Sequence, residues 1–332
     1  MADRSTRPSK EDVIDSSSVI VCCGSGGVGK TTTAAVLGLE AARRGRRAVV
    51  VTIDPAKRLA DALGLEGGLA AEPQRIDIGH SDVESDPEHA GELWAMMLDT
   101  AATFDGLVKR HAEDEEQIER ILSNAFYRNI AGALSGTQEY MAAETLHQLH
   151  GDDRFDLVVV DTPPSRNALD FLEAPGVLAR TGFRERADEV IALIRAPETS
   201  FVVVATPRHD TIDEAVWFAE QLVEQGVGVT GAVVNRAQPA FGKGSAESAA
   251  SNAFEAGARE DVSLASLWTN VADLRTMREH ELDVIAPLAE IAGEDRLSLV
   301  PLLDRDVHDL DGLWTIAGHL FEDGPPRISC SE

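Results

Sequence analysis

The sequence feature that most constrains this chain is residues 19–33, which read VIVCCGSGGVGKTTT. A β-branched apolar run leads into a glycine-rich loop, and an alanine-rich helical pattern follows, in the order strand, loop, helix. Gly24, Gly29, Lys30 and Thr31 satisfy the spacing G-x-x-x-x-G-K-[ST]. Successive backbone N–H groups curl around phosphate oxygens only where no Cβ blocks the approach, which explains the glycines. The alternative is a plain glycine-rich turn, but the motif and its context favour phosphate binding.

The loop predicts a site for ATP or ADP together with Mg²⁺. We expect Lys30 to reach the β- and γ-phosphates as a point charge and the Thr31 hydroxyl to hold the metal ion. The helix that begins here adds its dipole and the amide groups of its first turn to the same anion. The loop residues expected to bind the nucleotide are Gly26, Gly27, Val28, Gly29, Lys30, Thr31 and Thr32.

The large negative net charge argues against nucleic acid as a partner. Asp and Glu total 57 against 30 for Lys and Arg, a formal net charge of −27. Nucleic-acid backbones repel so acidic a protein unless its basic residues cluster, and the sequence has no basic run, so we expect no nucleic-acid partner. No apolar stretch approaches the roughly 20 residues of a membrane-spanning helix, and the polar N-terminus lacks the apolar segment of a secretory signal.

The cysteine content fits a reducing compartment. The three cysteines form no disulfide framework, and no C-x-x-C pair exists to hold zinc. Cys22 and Cys23 close a predicted buried strand, so we interpret them as small apolar residues rather than redox or metal groups. Together with the absence of a predicted membrane span, this predicts a soluble, cytoplasmic protein.

Two acidic residues follow predicted buried strands, at the edge where open α/β sheets bind ligands. Asp54 follows the strand at 47–53 and can orient a water toward the γ-phosphate or lie in the second shell of the metal. Its alternative role is only to cap a helix that starts near Lys57. Asp161 follows the strand at 155–160 and is expected to hold Mg²⁺, directly or through water.

Further strands and helices predict the rest of the fold. Asn235 ends a strand at 229–234, where its amide can read the edge of adenine or guanine or can cap a turn. Strands alternating with helices predict an α/β P-loop fold, a mainly parallel sheet with helices on both faces. The other predicted strands are 74–78, 201–205 and 297–301, and the other helices include 210–225, 264–292 and 310–321.

We expect one P-loop domain with a helical insertion. The insertion carries Met and aromatic side chains at helical spacing, which is typical of plain core but also fits a groove for apolar ligands. The predicted divisions are a flexible tail at 1–17, the domain at 18–325 with the insertion at about 88–150, a further helical segment at about 165–195, a mobile loop or weak helix at about 237–261, and a tail at 326–332.

With these residues assembled, the chain resembles the ArsA family of ATPases, which includes the ATPase of the guided-entry pathway for tail-anchored membrane proteins. Its style is closest to that of actinobacterial anion-transporting ATPase-like members. The resemblance rests on the phosphate loop, Asp54-Pro55-Ala56 as switch I, residues 133–139 (ALSGTQE), Asp161-Thr162-Pro163-Pro164 as switch II, and Val233-Val234-Asn235.

The resemblance implies a Mg²⁺-dependent ATPase that opens and closes a dimer as it binds and hydrolyses ATP. It implies that Asp54 orients the attacking water, that Lys30 and Thr31 contact phosphates and Mg²⁺, that Asp161 lies near the metal, and that Asn235 contacts adenine. The helical insertion of the family builds an apolar groove when the dimer closes, which implies a possible hydrophobic client protein.

Departures from the family pattern concern the dimer and the switches. Ser25 stands where members usually carry a lysine that reaches the nucleotide of the partner, and a neutral, shorter side chain cannot supply that charge. We therefore expect a heterodimer with a related lysine-bearing subunit, or a slow homodimer. Arg166 and Asn167 stand where switch II usually has glycine and histidine. The cysteines that bind zinc or arsenite in relatives are missing from this sequence.

Two other functions remain as alternatives. A partitioning or positioning ATPase, acting as an ATP-dependent scaffold on DNA or membrane, needs a basic surface or an amphipathic terminal helix, and the sequence shows neither. A metabolic P-loop enzyme that uses ATP on a small acid or amide is less favoured, because the insertion brings no cluster of catalytic polar residues.

Overall fold

The computed structural model describes residues 10–53, 58–65, 67–78, 91–100, 103, 114, 137–163 and 184–321. Its strands are β1 (Val19–Gly24), β2 (Arg47–Thr52), β3 (Gln74–Ile76), β4 (Glu92–Met97), β5 (Leu157–Asp161), β6 (Thr199–Ala205), β7 (Val229–Ala237) and β8 (Leu297–Pro301). Its helices are α1 (Lys10–Ser16), α2 (Lys30–Arg43), α3 (Arg58–Ala62), α4 (Thr137–His150), α5 (Arg184–Ile194), α6 (His209–Glu224), α7 (Ala246–Ala258), α8 (Val262–Ala292) and α9 (Leu310–Phe321), with a 3-10 helix at Glu294–Arg296.

The strands form one sheet in the order β3, β4, β2, β5, β1, β6, β7, β8. Neighbouring strands are parallel except for the pair of β3 with β4. The predicted α/β fold with a mainly parallel sheet is therefore confirmed. Because the carboxyl ends of parallel strands lie at one edge, the residues that follow β1, β2 and β5 meet there.

Helices cover both faces of the sheet. Val19, Val21 and Cys23 of β1 belong to one buried apolar cluster, together with residues of α6 and α8. Ile20 and Cys22 belong to a second cluster on the other face, together with residues of α2 and α9. Burial on both faces explains why the central strands are continuous β-branched runs rather than alternating patterns.

Strand β4 corrects the predicted helical insertion at its start. The helical prediction for 88–150 is wrong at Glu92–Met97, which pairs in parallel with β2. The apolar spacing of Leu93, Met96 and Met97 fits a helix locally, but Leu93 and Met96 point to opposite faces of the sheet and enter different cores. Thr137–His150 is helical as predicted. Most of the stretch between them lies outside the described residues, so the insertion itself stays a prediction.

The predicted tail at 1–17 is wrong for its second half. Lys10–Ser16 form helix α1, in which Val13 and Ile14 are buried. Arg46 holds the end of this helix because its guanidinium donates to the carbonyls of Ile14 and Ser17. A single apolar pair in a polar stretch gave no periodic signal, so only the tertiary contact reveals the helix.

The region from 237 to 261 contains a regular helix, which is one of the two alternatives predicted for it. Ser245 caps α7 by accepting a hydrogen bond from the N–H of Ser248 at 3.2 Å. Arg275 of α8 anchors the preceding loop by donating to the carbonyls of Phe241 and Lys243. The 31-residue α8 is the longest of the described helices, yet no helix within the described ranges is apolar and long enough to cross a membrane.

Strand β7 also extends further than predicted. It continues to Ala237, so Asn235 lies within the strand rather than at its end. The register with β8 shifts between Val234 and Ala237, which leaves Asn235 and Arg236 at an irregularity. Arg236 there has a φ of 61°, unusual for a residue with a side chain.

Ile14→Ala tests whether α1 is part of the core. Ile14 is 0 % exposed, so truncation should lower the free energy of unfolding by about 2–5 kcal/mol. The matched control is Asp15→Ala, which removes an exposed ion pair with Arg44 and should cost less than about 1 kcal/mol. Chemical denaturation monitored by circular dichroism measures both. Small and equal effects would show that α1 is not packed.

Candidate functional site

The phosphate loop occupies the centre of the sheet edge. Strand β1 lies between β5 and β6, and the chain leaves it through residues 25–29 to enter α2 at Lys30. In parallel sheets ligands bind outside the carboxyl ends of such central strands, where the chain crosses from one side to the other. The fold therefore places the predicted loop where an α/β sheet binds its ligand.

Two loop glycines are required by their neighbours as well as by their backbone. Gly24 has a φ of 151°, and a Cβ there would lie 2.1 Å from the carbonyl oxygen of Val204. Gly29 has a φ of 102°, and a Cβ there would lie 2.2 Å from Nδ2 of Asn235. Both distances are far below van der Waals contact. The absence of a side chain at Gly24 therefore lets the backbone of β6 approach the loop, and its absence at Gly29 lets the amide of Asn235 approach.

Lys30 is buried and folds back over its own loop. Its Nζ donates to the carbonyl oxygen of Ser25 at 2.8 Å. The Ser25 hydroxyl in turn donates to Oε2 of Glu214 on α6 at 2.6 Å. The ammonium group of Lys30 is thus held at the loop, and the side chain of Ser25 is bound within its own chain. The contribution of Glu214 was not foreseen from the sequence.

Thr31 and Asp161 are brought together, as the sequence predicted. The Thr31 hydroxyl donates to Oδ2 of Asp161 at 2.8 Å, and the Thr52 hydroxyl donates to the same oxygen at 2.9 Å. The register of β2 with β5 sets Thr52 opposite Asp161, whose side chain is 1 % exposed. A hydroxyl and a carboxylate side by side are the hard oxygen donors that Mg²⁺ accepts alongside phosphate and water. This donor set fits the magnesium ion that the sequence predicts.

Asn235 lies against the loop rather than projecting freely from the strand. Its Nδ2 donates to the carbonyl oxygen of Val28 at 3.0 Å, and its Oδ1 accepts from the N–H of Arg236 at 2.9 Å. Nη1 of Arg236 approaches the carbonyl oxygen of Gly27 at 3.4 Å. Sequence reasoning missed Arg236, whose one signal was its position next to Asn235.

A pocket of about 330 Å³ opens beside the loop, a size typical of small-molecule sites. It is lined by most of the residues predicted to bind nucleotide or metal, namely Gly26, Gly27, Gly29, Lys30, Thr31, Thr32 and Asp161. Val28 and Asn235 are not part of its lining. The wall that the sequence did not predict includes Arg58, Asp61, Ala62, Arg236, Val307 and His308.

Three of the positions singled out from the sequence are not among the residues that the structure describes. Asp54 lies outside the described residues, as do Arg166 and Asn167 of the second switch. The residue before Asp54 is placed: the N–H of Ile53 donates to the backbone carbonyl of Asp161 at 3.2 Å. The chain at Ile53 therefore lies beside Asp161.

Cys22 and Cys23, which precede the last residue of β1, are buried and free, as expected for small apolar residues. Burial raises the pKa of the Cys23 thiol to about 12, and burial with the nearby Asp161 carboxylate raises that of Cys22 as well. Both thiols are therefore neutral at physiological pH. Within the described ranges no cluster of three His, Cys, Asp or Glu side chains is arranged to hold a metal ion.

Comparison with known proteins identifies a matching family model and several relatives. A family model described as anion-transporting ATPase, ArsA, matches residues 17–182. The chain is 30% identical to ATPase GET3 of Malassezia globosa over 180 residues, which cover 54% of this chain and 49% of that protein. It is 26% identical to the arsenical pump-driving ATPase of Acidiphilium multivorum over 317 residues, 87% of this chain and 48% of that protein.

The chain spans about half the length of the curated relatives it matches. The family model covers half of this chain, and the matched residues contain the phosphate loop, β2 and β5 with Asp161. The chain belongs to the ArsA family of anion-transporting ATPases.

Proposed function

We propose that this chain binds ATP with Mg²⁺ in the pocket beside residues 24–32 and hydrolyses it. The observation that carries the proposal is the contact of the Thr31 hydroxyl with Oδ2 of Asp161, 2.8 Å apart, next to the buried cation of Lys30. A lysine, a hydroxyl and a carboxylate at the mouth of a phosphate loop are the groups that nucleotide hydrolysis requires. Membership of an ATPase family supports the same conclusion.

The phosphates are bound by the loop backbone and by Lys30. Lys30 is held on the Ser25 carbonyl, so its charge needs little rearrangement when the anion enters. Thr31 and Asp161 hold the metal, and Thr52 fixes the orientation of the carboxylate. Magnesium, when bound, neutralises charge on the β- and γ-phosphate oxygens.

Asp54 orients the attacking water in this proposal. The proposal is supported by Ile53, the residue before Asp54, whose N–H donates to the carbonyl of Asp161 at the metal-binding edge. A carboxylate at that edge can accept a proton or a hydrogen bond from water near the γ-phosphate. We also propose that the adenine ring of the nucleotide packs against the pocket wall formed by Val307 and His308. The contact of Asn235 with adenine, which the family resemblance implies, stays an untested prediction, and both polar ends of its amide are bonded within the chain.

The proposal extends to a cytoplasmic homo- or heterodimer that couples nucleotide state to its opening. Support comes from large apolar side chains of α7 and the first turns of α8 that are exposed, namely Phe254 at 80 %, Val262 at 77 % and Leu267 at 62 %. Large apolar side chains that are exposed on a protein surface are typical of association surfaces when they lie together. A hydrophobic client, by analogy with the family's insertion, also remains part of the proposal.

Asp54→Asn is expected to trap bound ATP. The amide cannot act as a base, so hydrolysis should fall by about 10²–10⁴-fold while ATP binding persists. Lys30→Ala should instead weaken binding itself, because the loop loses its charge. Phosphate release and equilibrium binding measure the two effects, with Asp210→Asn on the exposed start of α6 as control. Normal hydrolysis by Asp54→Asn would remove this residue from its role.

Ser25→Lys tests whether the missing lysine limits turnover. A lysine at position 25 can pair with Glu214 of its own chain, because that carboxylate already lies 2.6 Å from the Ser25 hydroxyl. We therefore expect faster phosphate release only from the double variant Ser25→Lys, Glu214→Gln, with Glu214→Gln alone as the control. If the double variant forms a homodimer and its turnover does not rise, the missing charge is not the cause of slow hydrolysis.

A further inference from the structure

We infer that Asn235 and Arg236 are positioning residues that orient the phosphate-binding amides of the loop. The inference rests on the proposed function and assigns to these two residues a role other than reading the base. Together they form what we call the β7 clasp, the contacts of Asn235 with the Val28 carbonyl and of Arg236 with the Gly27 carbonyl.

The geometry follows from the planarity of the peptide bond. In a trans peptide the C=O of one residue and the N–H of the next point in opposite directions, and no cis peptide occurs in the described chain. The clasp draws the carbonyls of Gly27 and Val28 toward β7. The N–H groups of Val28 and Gly29 must therefore point away from β7, which leaves them for an anion held in the loop.

The last glycine of the motif makes this contact possible. A Cβ at Gly29 would lie 2.2 Å from Nδ2 of Asn235, so any other residue would push the amide away from the Val28 carbonyl. Asn235 and its acceptor Val28 are 207 positions apart in the sequence, yet the glycine next to Val28 leaves the space that their contact needs. Gly29 therefore serves the clasp as well as the ligand.

The backbone of Arg236 supports a role for its side chain. Its φ of 61° lies in the left-handed region, which is unfavourable for a residue with a Cβ. The register irregularity between Val234 and Ala237 accommodates this conformation. As a result, the guanidinium of Arg236 reaches the loop and lines the pocket. In a regular strand the side chain would point in another direction.

Base reading predicts a different behaviour from positioning. A side chain that reads adenine affects only ligands that carry the base. A side chain that orients loop amides affects every ligand that carries the phosphates, including inorganic tripolyphosphate. In this structure the Asn235 amide already has partners at both ends, on Val28 and Arg236, which favours positioning.

The experiment measures binding of ATP and of inorganic tripolyphosphate, each with Mg²⁺, to the full chain. Asn235→Ala and Arg236→Gly should weaken both ligands by a similar factor, about tenfold for one lost hydrogen bond. Arg236→Lys should restore most of the binding, because an ammonium group can also donate to the Gly27 carbonyl. Arg259→Ala, at an exposed arginine after α7, is the matched control and should bind like the wild type.

Thermal unfolding separates positioning from simple support of the fold. Glycine adopts a φ of 61° without strain, so Arg236→Gly should unfold at the same temperature as the wild type or higher while its affinity falls. Weakened ATP binding with unchanged tripolyphosphate binding would assign the residues to the base and overturn the inference. Unchanged binding of both ligands would overturn it as well. A wild type that binds neither ligand would refute the proposed function itself.

Discussion

The hydrogen bonds to Oδ2 of Asp161 are the interaction on which the site depends. Thr31 donates from the start of α2 and Thr52 donates from the end of β2, so one buried oxygen joins the loop helix to two strands. The register of β2 with β5 makes this possible, because a slip of one residue would turn Asp161 to the other face of the sheet. A carboxylate that is 1 % exposed needs such partners to be stable in the fold.

The parts of the fold that could be predicted from the sequence are those marked by a pattern of neighbouring residues. The β-branched runs of β1, β5 and β6 and the glycine motif need no knowledge of distant neighbours. Strand β4 was missed because the spacing of its apolar residues also fits a helix, and its pairing with β2 decided the outcome. The helix α1 was missed because its buried pair, Val13 and Ile14, is too short to show a period.

The site residues that were predicted from the sequence belong to local motifs, and those that were not predicted make long-range contacts. Lys30, Thr31 and Asp161 were predicted because each belongs to a recognisable strand end or loop. Thr52, Glu214 and Arg236 were not, since they lie 109, 189 and 209 positions from the residues that they contact. Such partners are brought together by strand order, register and helix packing, which a single sequence does not display.

The central claim is that residues 24–32 bind the phosphates of a nucleotide with Lys30 at their centre. Calorimetric titration of the full chain with adenosine, AMP, ADP and ATP in the presence of Mg²⁺ tests it most directly. Lys30 is held at the loop, and the proposed function assigns its charge to the β- and γ-phosphates, so the affinity should rise steeply from AMP to ADP and ATP. Equal affinity for adenosine and ATP, or no heat with any of the four ligands, would contradict the account.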